Sequence, residues 1–362
     1  MKLTKYLSHS VTKLITISTL LCVIILTPST ALAESKSKFR LAWTIYVGWM
    51  PWDYGNASGI IKKWADKYDI DIEIVQVNDY VESINQYTAG GFDATVMTNM
   101  DALTIPAASG VDSTAVIIGD FSNGNDGVVL KGKKTLADIK GQNVNLVELS
   151  VSHYLLARAL ESVSLTERDV RVVNTSDADL VGAFTTNDVT SVTTWNPLLS
   201  EITAMPNTSK VFDSSMIPGE IIDLLVINTE TLNDNPKLAK ALTGAWYEIM
   251  ETMQGNDKKA IDARTMMAEA SGTDLAGYDA QLASTKMFFK PQDAVAFNNS
   301  AELKNTMGKV AEFSFEHGLL GEGASDAKFI GVETPSGIYG NKQNIKLRFS
   351  PLYMQMAVDN KL

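Results

Sequence analysis

The chain has 362 residues, with 42 acidic against 31 basic side chains, a net charge of −11 and one cysteine. That balance argues against a nucleic-acid partner, which needs clustered Lys and Arg, and a single thiol excludes an internal disulfide framework. The length suits about two domains and a core large enough to hold the fold by packing alone.

The first residues read as an export signal. Lys2, Lys5 and Lys13 precede an apolar run over 14–26, and Ala31-Leu32-Ala33 forms an A-x-A cleavage site before Glu34. The run is too short for a membrane anchor, and Thr16, Ser18 and Thr19 interrupt it. Lipidation at Cys22 is the weaker alternative, because Leu21 stands where a small residue is expected. Segment 1–33 is therefore expected to be a cleaved signal peptide, and the protein is expected to work in the periplasm. Cleavage would remove the cysteine and three lysines, taking the net charge from −11 to −14.

Beyond the signal, apolar periodicity alternates between strand and helix. Residues 39–43 read as a strand, 60–68 as a helix, 71–77 as a strand, 80–89 as a helix and 94–98 as a strand. This order predicts a mainly parallel sheet with helices on its faces. After 114–119 a polar loop, 121–126, leads to a second set. That set has strands at 143–147, 170–173 and 189–194, and a helix over 153–163 with Ser150 or Ser152 as its N-cap. Residues 221–227 are too apolar for an edge strand. Helices follow over 236–253 and 258–270, and 329–349 suggests a hairpin turning at Gly340-Asn341. Two α/β sets joined by a crossing each way predict two lobes, 38–129 plus 222–362 and 130–221. A ligand cleft is expected between them, beyond the carboxyl ends of the strands.

The loops at those ends carry a bias. The first packs Tyr46, Trp49, Trp52 and Tyr54 into nine residues. Asp53, Asp101, Asp126, Glu148, Glu220 and Asp223 lie at or near predicted strand ends, and these loops contain no Arg or Lys. An anionic solute would recruit Arg, Lys and helix N-termini. A planar cation calls for carboxylates at its rim and aromatic faces above and below. The pattern favours a small cation or a neutral, donor-rich solute. The candidate ligand-binding residues are Trp52, Asn99, Asp101, Asp126, Glu148, Ser152, Trp195, Asn196 and Asp223, with Tyr46, Trp49, Asp53 and Glu220 in second rank. Against this, any single acid could be a helix cap, and the rings could simply plug a lobe.

Catalytic signatures are missing. The chain shows no G-x-S-x-G, H-E-x-x-H, Walker loop or G-x-G-x-x-G after a strand. Past the signal, His153 and His317 are the only histidines and no thiol remains. No enzymatic activity, metal or cofactor is expected.

Several runs also carry a family resemblance. Leu136-Ala137-Asp138-Ile139-Lys140-Gly141, Ser152-His153-Tyr154-Leu155-Leu156 and Trp195-Asn196-Pro197 resemble the periplasmic solute-binding proteins of ABC importers in the taurine, alkanesulfonate and nitrate group. A closer match is to the branch associated with urea carboxylase regions. It rests on Tyr46-Val47-Gly48-Trp49-Met50-Pro51-Trp52, Met97-Thr98-Asn99-Met100-Asp101, Asp120-Phe121-Ser122-Asn123-Gly124-Asn125-Asp126-Gly127 and Ile217-Pro218-Gly219-Glu220-Ile221-Ile222-Asp223. The resemblance implies a type II periplasmic-binding fold, a monomer, a permease partner and a small nitrogen solute such as guanidinium or urea. The alternatives are an anionic solute (sulfonate, taurine or nitrate), a thiamine-precursor-like ring, or a periplasmic hydrolase or sensor subunit.

Overall fold

The computed structural model describes residues 36–362; the expected signal segment 1–33, its cleavage site and Cys22 lie outside them. The chain opens with β1 (Lys38–Trp43), α1 (Met50–Ala57), α2 (Ile60–Lys67), β2 (Asp71–Gln76), α3 (Tyr80–Thr88), β3 (Ala94–Thr98), α4 (Asn99–Ala102) and β4 (Ser113–Ser122). A second body follows, made of β5 (Asp126–Lys131), β6 (Asn143–Leu146), α5 (Val151–Ser162), β7 (Arg171–Asn174), α6 (Asp177–Thr185), β8 (Ser191–Trp195), α7 (Leu198–Thr203) and β9 (Thr208–Asp213). β10 (Ile222–Asn228) returns to the first body. It is followed by α8 (Thr229–Asp234), α9 (Pro236–Met253), α10 (Lys258–Ala270), α11 (Leu275–Ala283), β11 (Thr285–Met287), α12 (Pro291–Asn298) and α13 (Ala301–Glu316). The chain closes with β12 (Gly331–Thr334), β13 (Gly337–Tyr339), β14 (Ile345–Phe349) and α14 (Leu352–Val358).

Two sheets result. The first has the order β13-β12-β14-β4-β10-β3-β1-β2 with β11 added to β4, and the second has the order β7-β6-β8-β5-β9. The runs β2-β1-β3 and β7-β6-β8 are parallel, as strand–helix alternation requires. β10 lies antiparallel between β3 and β4, and β5 antiparallel between β8 and β9, because these strands carry the chain back and forth between the sheets. With helices on both faces, β3 and β10 are buried almost continuously rather than at alternate residues.

Helix α9 shows how the first sheet is covered. Pro236 sits in its first turn, where the missing N–H costs nothing. Leu238, Leu242, Ala245, Ile249 and Met253 then bury one stripe at helical spacing. Each large side chain buried in this way contributes roughly 1.5–3 kcal/mol. Among the described residues no helix is long and apolar enough to cross a membrane.

Three sequence expectations are corrected. β4 continues through Ser122, so the supposed 121–126 loop shrinks to three residues, Asn123–Gly124–Asn125. Ser122 and Asp126 are fully buried there, which a solvated loop could not provide. β5 starts at Asp126, so the expected lobe boundary at 129/130 falls inside a strand of the second sheet. The late hairpin is β12–β13, which turns at Pro335-Ser336; Gly340-Asn341 instead links it to β14, which runs parallel to β12.

Candidate functional site

Strand register builds the site. Thr98 of β3 pairs with Asp223 of β10, and Asp223 in turn pairs with Asp120 of β4. Register partners project to the same face of a sheet, so the row Thr98–Asp223–Asp120 lies along one edge of the first sheet. In the second sheet Asp126 of β5 pairs with Trp195 of β8. Asp126 is the first strand residue after the crossing, which carries it to the junction of the two sheets. The crossings are tied together there: Ser122 Oγ and Ser214 Oγ are 2.6 Å apart, and Ser214 Oγ accepts the Gly124 N–H at 2.8 Å.

Between the two rows lies a small cavity of about 20 Å³, lined by Tyr46, Trp49, Tyr80, Thr98, Asp126, Val151, Trp195, Ile221 and Asp223. Every lining residue is buried, and Trp195 is the most exposed at 8%. Trp195 also borders an open crevice of about 590 Å³ that includes Thr44, Asn78, Asp177 and Glu201. This ring therefore separates the cavity from the crevice. Four rings follow one another around the cavity: Tyr46 to Trp49 at 4.8 Å between centroids, Trp49 to Tyr80 at 5.6 Å, and Tyr80 to Trp195 at 6.0 Å. The last contact joins the first body to the second.

A cavity of this size holds about one water, so a larger occupant requires the lining rings to move apart. Its electrostatics are one-sided. The Tyr46 hydroxyl donates to Asp120 Oδ1 at 3.1 Å. Ser122 Oγ donates to Asp126. Behind the cavity, Asp101 accepts the Tyr80 hydroxyl at 2.6 Å and Thr98 Oγ1 at 2.8 Å, which fixes the Tyr80 ring. Burial pushes Asp101 up to about 6 and Asp126 to about 7; for Asp126 the neighbouring Asp120 and Asp101 add to the rise. Asp120 and Asp223, in contact with each other, are raised chiefly by burial, and the charges of Asp120 and Asp126 raise Asp223 further. Asp120 Oδ2 is buried without a donor. Two buried carboxyls side by side cannot both ionise, so this pair holds on to a proton.

Gly48 is required by close approach. A Cβ there would sit 2.5 Å from the Tyr46 ring and 2.6 Å from the Asp120 carboxyl.

Of the sequence candidates, Asp126, Trp195, Asp223, Tyr46 and Trp49 line the cavity, and Asp101 stands directly behind it. Ser152 is one residue along α5 from the lining Val151, and its hydroxyl is buried without a partner. The remaining candidates serve elsewhere. Trp52 stacks on Trp246 at 5.1 Å in the first body's core, where its indole fills volume that the smaller surrounding residues leave. Asn99 spends its amide on the Glu220 carbonyl (3.1 Å) and the Ile222 N–H (3.0 Å), fastening the returning chain. Asn196 binds Asn125 Oδ1 at 2.9 Å and the Ser200 N–H at 2.9 Å. Glu148 is exposed, and Asp53 lies half-buried in the first turn of α1. Glu220 is saturated: Arg158 Nε at 2.9 Å, Lys309 Nζ at 2.8 Å and the Tyr154 hydroxyl at 2.6 Å hold it.

Sequence reasoning missed Asp120, Tyr80 and Thr98 as parts of the site. Tyr80 and Thr98 stood at the predicted helix start and strand end, so their position was visible. Asp120 was hidden by the assumption that the strand stopped before it.

One cluster among the described residues has metal-like spacing: His153, Glu167 and His317, with ligating atoms within 4.8 Å of one another. His153 Nδ1 accepts the Leu149 N–H at 3.1 Å. Its ring proton is therefore on Nε2, facing Glu167, which leaves no lone pair there for a metal.

Residues 59–289 match the family described as NMT1/THI5 like. A binding protein of Brucella abortus is 24% identical over 169 residues, 44% of this chain and 51% of that protein. The chain thus spans about half the length of the curated relatives it matches. Among solved structures, the alkanesulfonate-binding protein SsuA of Xanthomonas axonopodis pv. citri superposes with a TM-score of 0.65 at 16% identity, covering 80% of this chain and 96% of that one. The periplasmic nitrate-binding protein NrtA of Synechocystis PCC 6803 gives 0.56 at 11% identity, covering 90% and 99%. At such identities the likeness shows the fold, an α/β periplasmic-binding-protein architecture, as the sequence led us to expect.

Proposed function

The chain belongs to the NMT1/THI5-like family, and from that premise we propose that it is the solute-binding protein of an ABC importer, whose solute is a small cation of the guanidinium type. It would work outside the cytoplasm as a monomer, closing two lobes on the solute and presenting it to a membrane permease. It would carry out no chemistry and need no cofactor.

One observation carries the choice of solute. Asp126 and Asp223 line one small aromatic cavity with Asp120 behind them, bonded to Tyr46, and no Lys or Arg figures among the groups that act on the three. Burying carboxylates without a counter-charge is costly, and a cation in the cavity removes that cost. Its binding would then favour the closed form over the open one, which is how a ligand drives closure. The ring of Tyr46, Trp49, Tyr80 and Trp195 suits a flat, delocalised cation.

A second reading is an anionic solute, and the comparisons lie nearer to it, since the neighbours' names specify sulfonate and nitrate. The feature of this chain that favours it is the N-terminus of the twelve-residue α5 at Val151, beside the free Ser152 hydroxyl. Against it stand the three cavity carboxyls, which would repel an anion.

A thermal-shift panel of guanidinium, urea, taurine and nitrate at millimolar concentration separates these readings. Ligand at a hundredfold excess over its Kd stabilises by about 2.7 kcal/mol. The cation reading expects a shift with guanidinium; a shift with taurine or nitrate alone would transfer the protein to the anion reading.

A further inference from the structure

The chain's histidines beyond the expected signal, His153 and His317, meet at Glu167, away from the cavity. They come from opposite bodies. His153 is on α5 and Glu167 is in the turn Glu167–Asp169, both in the second body, while His317 caps the C-terminus of α13 in the first.

The hydrogen bonds assign the protons. His153 Nδ1 accepts the Leu149 N–H, so a second proton there would face another N–H, and His153 stays neutral with its Nε2 proton toward Glu167. His317 faces acceptors with both nitrogens: the Phe313 carbonyl 2.8 Å from Nδ1 and Glu167 Oε2 2.6 Å from Nε2. Both bonds are made at once only by the imidazolium form. Its position helps, because a helix C-terminus favours positive charge and the ring lies 4.0 Å from the Phe313 ring. A neutral His317 would turn a nitrogen lone pair on the carboxylate.

The charged groups around this contact are Arg158 and Glu161 on α5, Lys309, Glu312 and Glu316 on α13, and Glu220 between them. Arg158 and Lys309 are both held by Glu220, so neither competes for Glu167. His317 is eight residues beyond Lys309 on the same helix and its cap, a distance of ~12 Å along the axis.

We propose that His317 is a proton-dependent latch: its imidazolium in the first body grips Glu167 of the second and holds the two bodies closed, and deprotonation releases them. His153 supports it by standing with its Nε2 against the other oxygen of Glu167, which limits how the carboxylate can turn. The latch is separate from the solute cavity, and its test needs no solute.

The test is pulsed dipolar spectroscopy on the ligand-free protein. Spin labels go on cysteines introduced at exposed positions of the two bodies (Lys134→Cys and Glu230→Cys), with Cys22→Ser. The latch predicts a closed-to-open ratio about five- to tenfold higher at about pH 5.5 than at about pH 8.5. The aspartates of the cavity also take up protons over part of this range, so the decisive comparison is with variants. His317→Gln and Glu167→Gln, both at partly exposed positions, are expected to reduce the pH dependence to less than about twofold, close to what remains without a titrating pair. A His317→Gln protein that keeps the full pH response would overturn the proposal. So would a ratio that changes with zinc or EDTA at constant pH, since the cluster would then be a metal site.

Discussion

Two buried acidic regions sit close together in this molecule and behave in opposite ways. Glu220 is surrounded by Arg158, Lys309 and Tyr154, and although burial works against its ionisation, those hydrogen bonds hold it below the ordinary glutamate range. The cavity carboxyls Asp120, Asp126 and Asp223 have only hydroxyls and one another, and all are raised, first by burial. Glu220 is the less deeply enclosed of the two, but burial alone raises it as well, so the opposite direction of its shift comes from its partners. Glu220 is a completed structural ion pair, while the aspartates form half of one; on the proposed reading a cationic solute supplies the other half.

The largest expected effect follows from removing a cavity carboxylate. Asp223→Asn should weaken guanidinium binding by about 2–5 kcal/mol, as for other buried charge pairs, while raising the melting temperature of the ligand-free protein, because a repelling group is gone. Calorimetric titration and a melting curve on the same sample test both halves, and a fall in stability would break the comparison. Glu220→Gln should do the reverse: a stability loss of about 1–3 kcal/mol, discounted for the partial exposure of Arg158 and Lys309, with a smaller change in affinity. Denaturant unfolding measures it.

Gly48→Ala sharpens the geometric side. Its Cβ would displace the Tyr46 ring and the Asp120 carboxyl, and overpacking of this kind costs about 1–3 kcal/mol. The loss should be seen in affinity as well as in stability, whereas a change confined to stability would remove Tyr46 from the site.

The smallest effect is in pH. The folded, ligand-free protein holds protons on Asp101 and Asp126 up to about 6 and about 7, where the unfolded chain has lost them. A carboxyl raised by folding stabilises the fold as pH falls through its folded value. The melting temperature should therefore rise by roughly 2–6 °C between about pH 8 and about pH 6, and Asp126→Asn should flatten that rise. With guanidinium bound the trend should reverse, because protons then compete with the cation.

Much of the architecture was legible because its signals are local. α9 and α10 have the expected bounds, since a long amphipathic stripe bracketed by Pro236 and by Asp257 leaves little freedom. The strand-end rule pointed to Asp126, Trp195 and Asp223, and all three line the candidate cavity. It failed at Trp52, because one loop offered two tryptophans and only tertiary packing decides that Trp49 turns to the cavity while Trp52 stacks on Trp246. It failed at Asn99, whose amide is consumed by distant backbone groups, and at Asn196, whose amide is taken by the Asn125 side chain and by Ser200 at the start of α7. Asp120 was missed for a related reason. A charged residue in the middle of a buried strand reads as a strand end, and only the register with Asp223 reveals the pair.

The most direct measurement is calorimetric titration of guanidinium at about pH 6.5, repeated in two buffers of different ionisation enthalpy. The account predicts saturable binding with on the order of one proton released per cation, as the Asp120–Asp223 pair and Asp126 give up protons to the incoming charge. Binding of taurine or nitrate with no heat from guanidinium would contradict it.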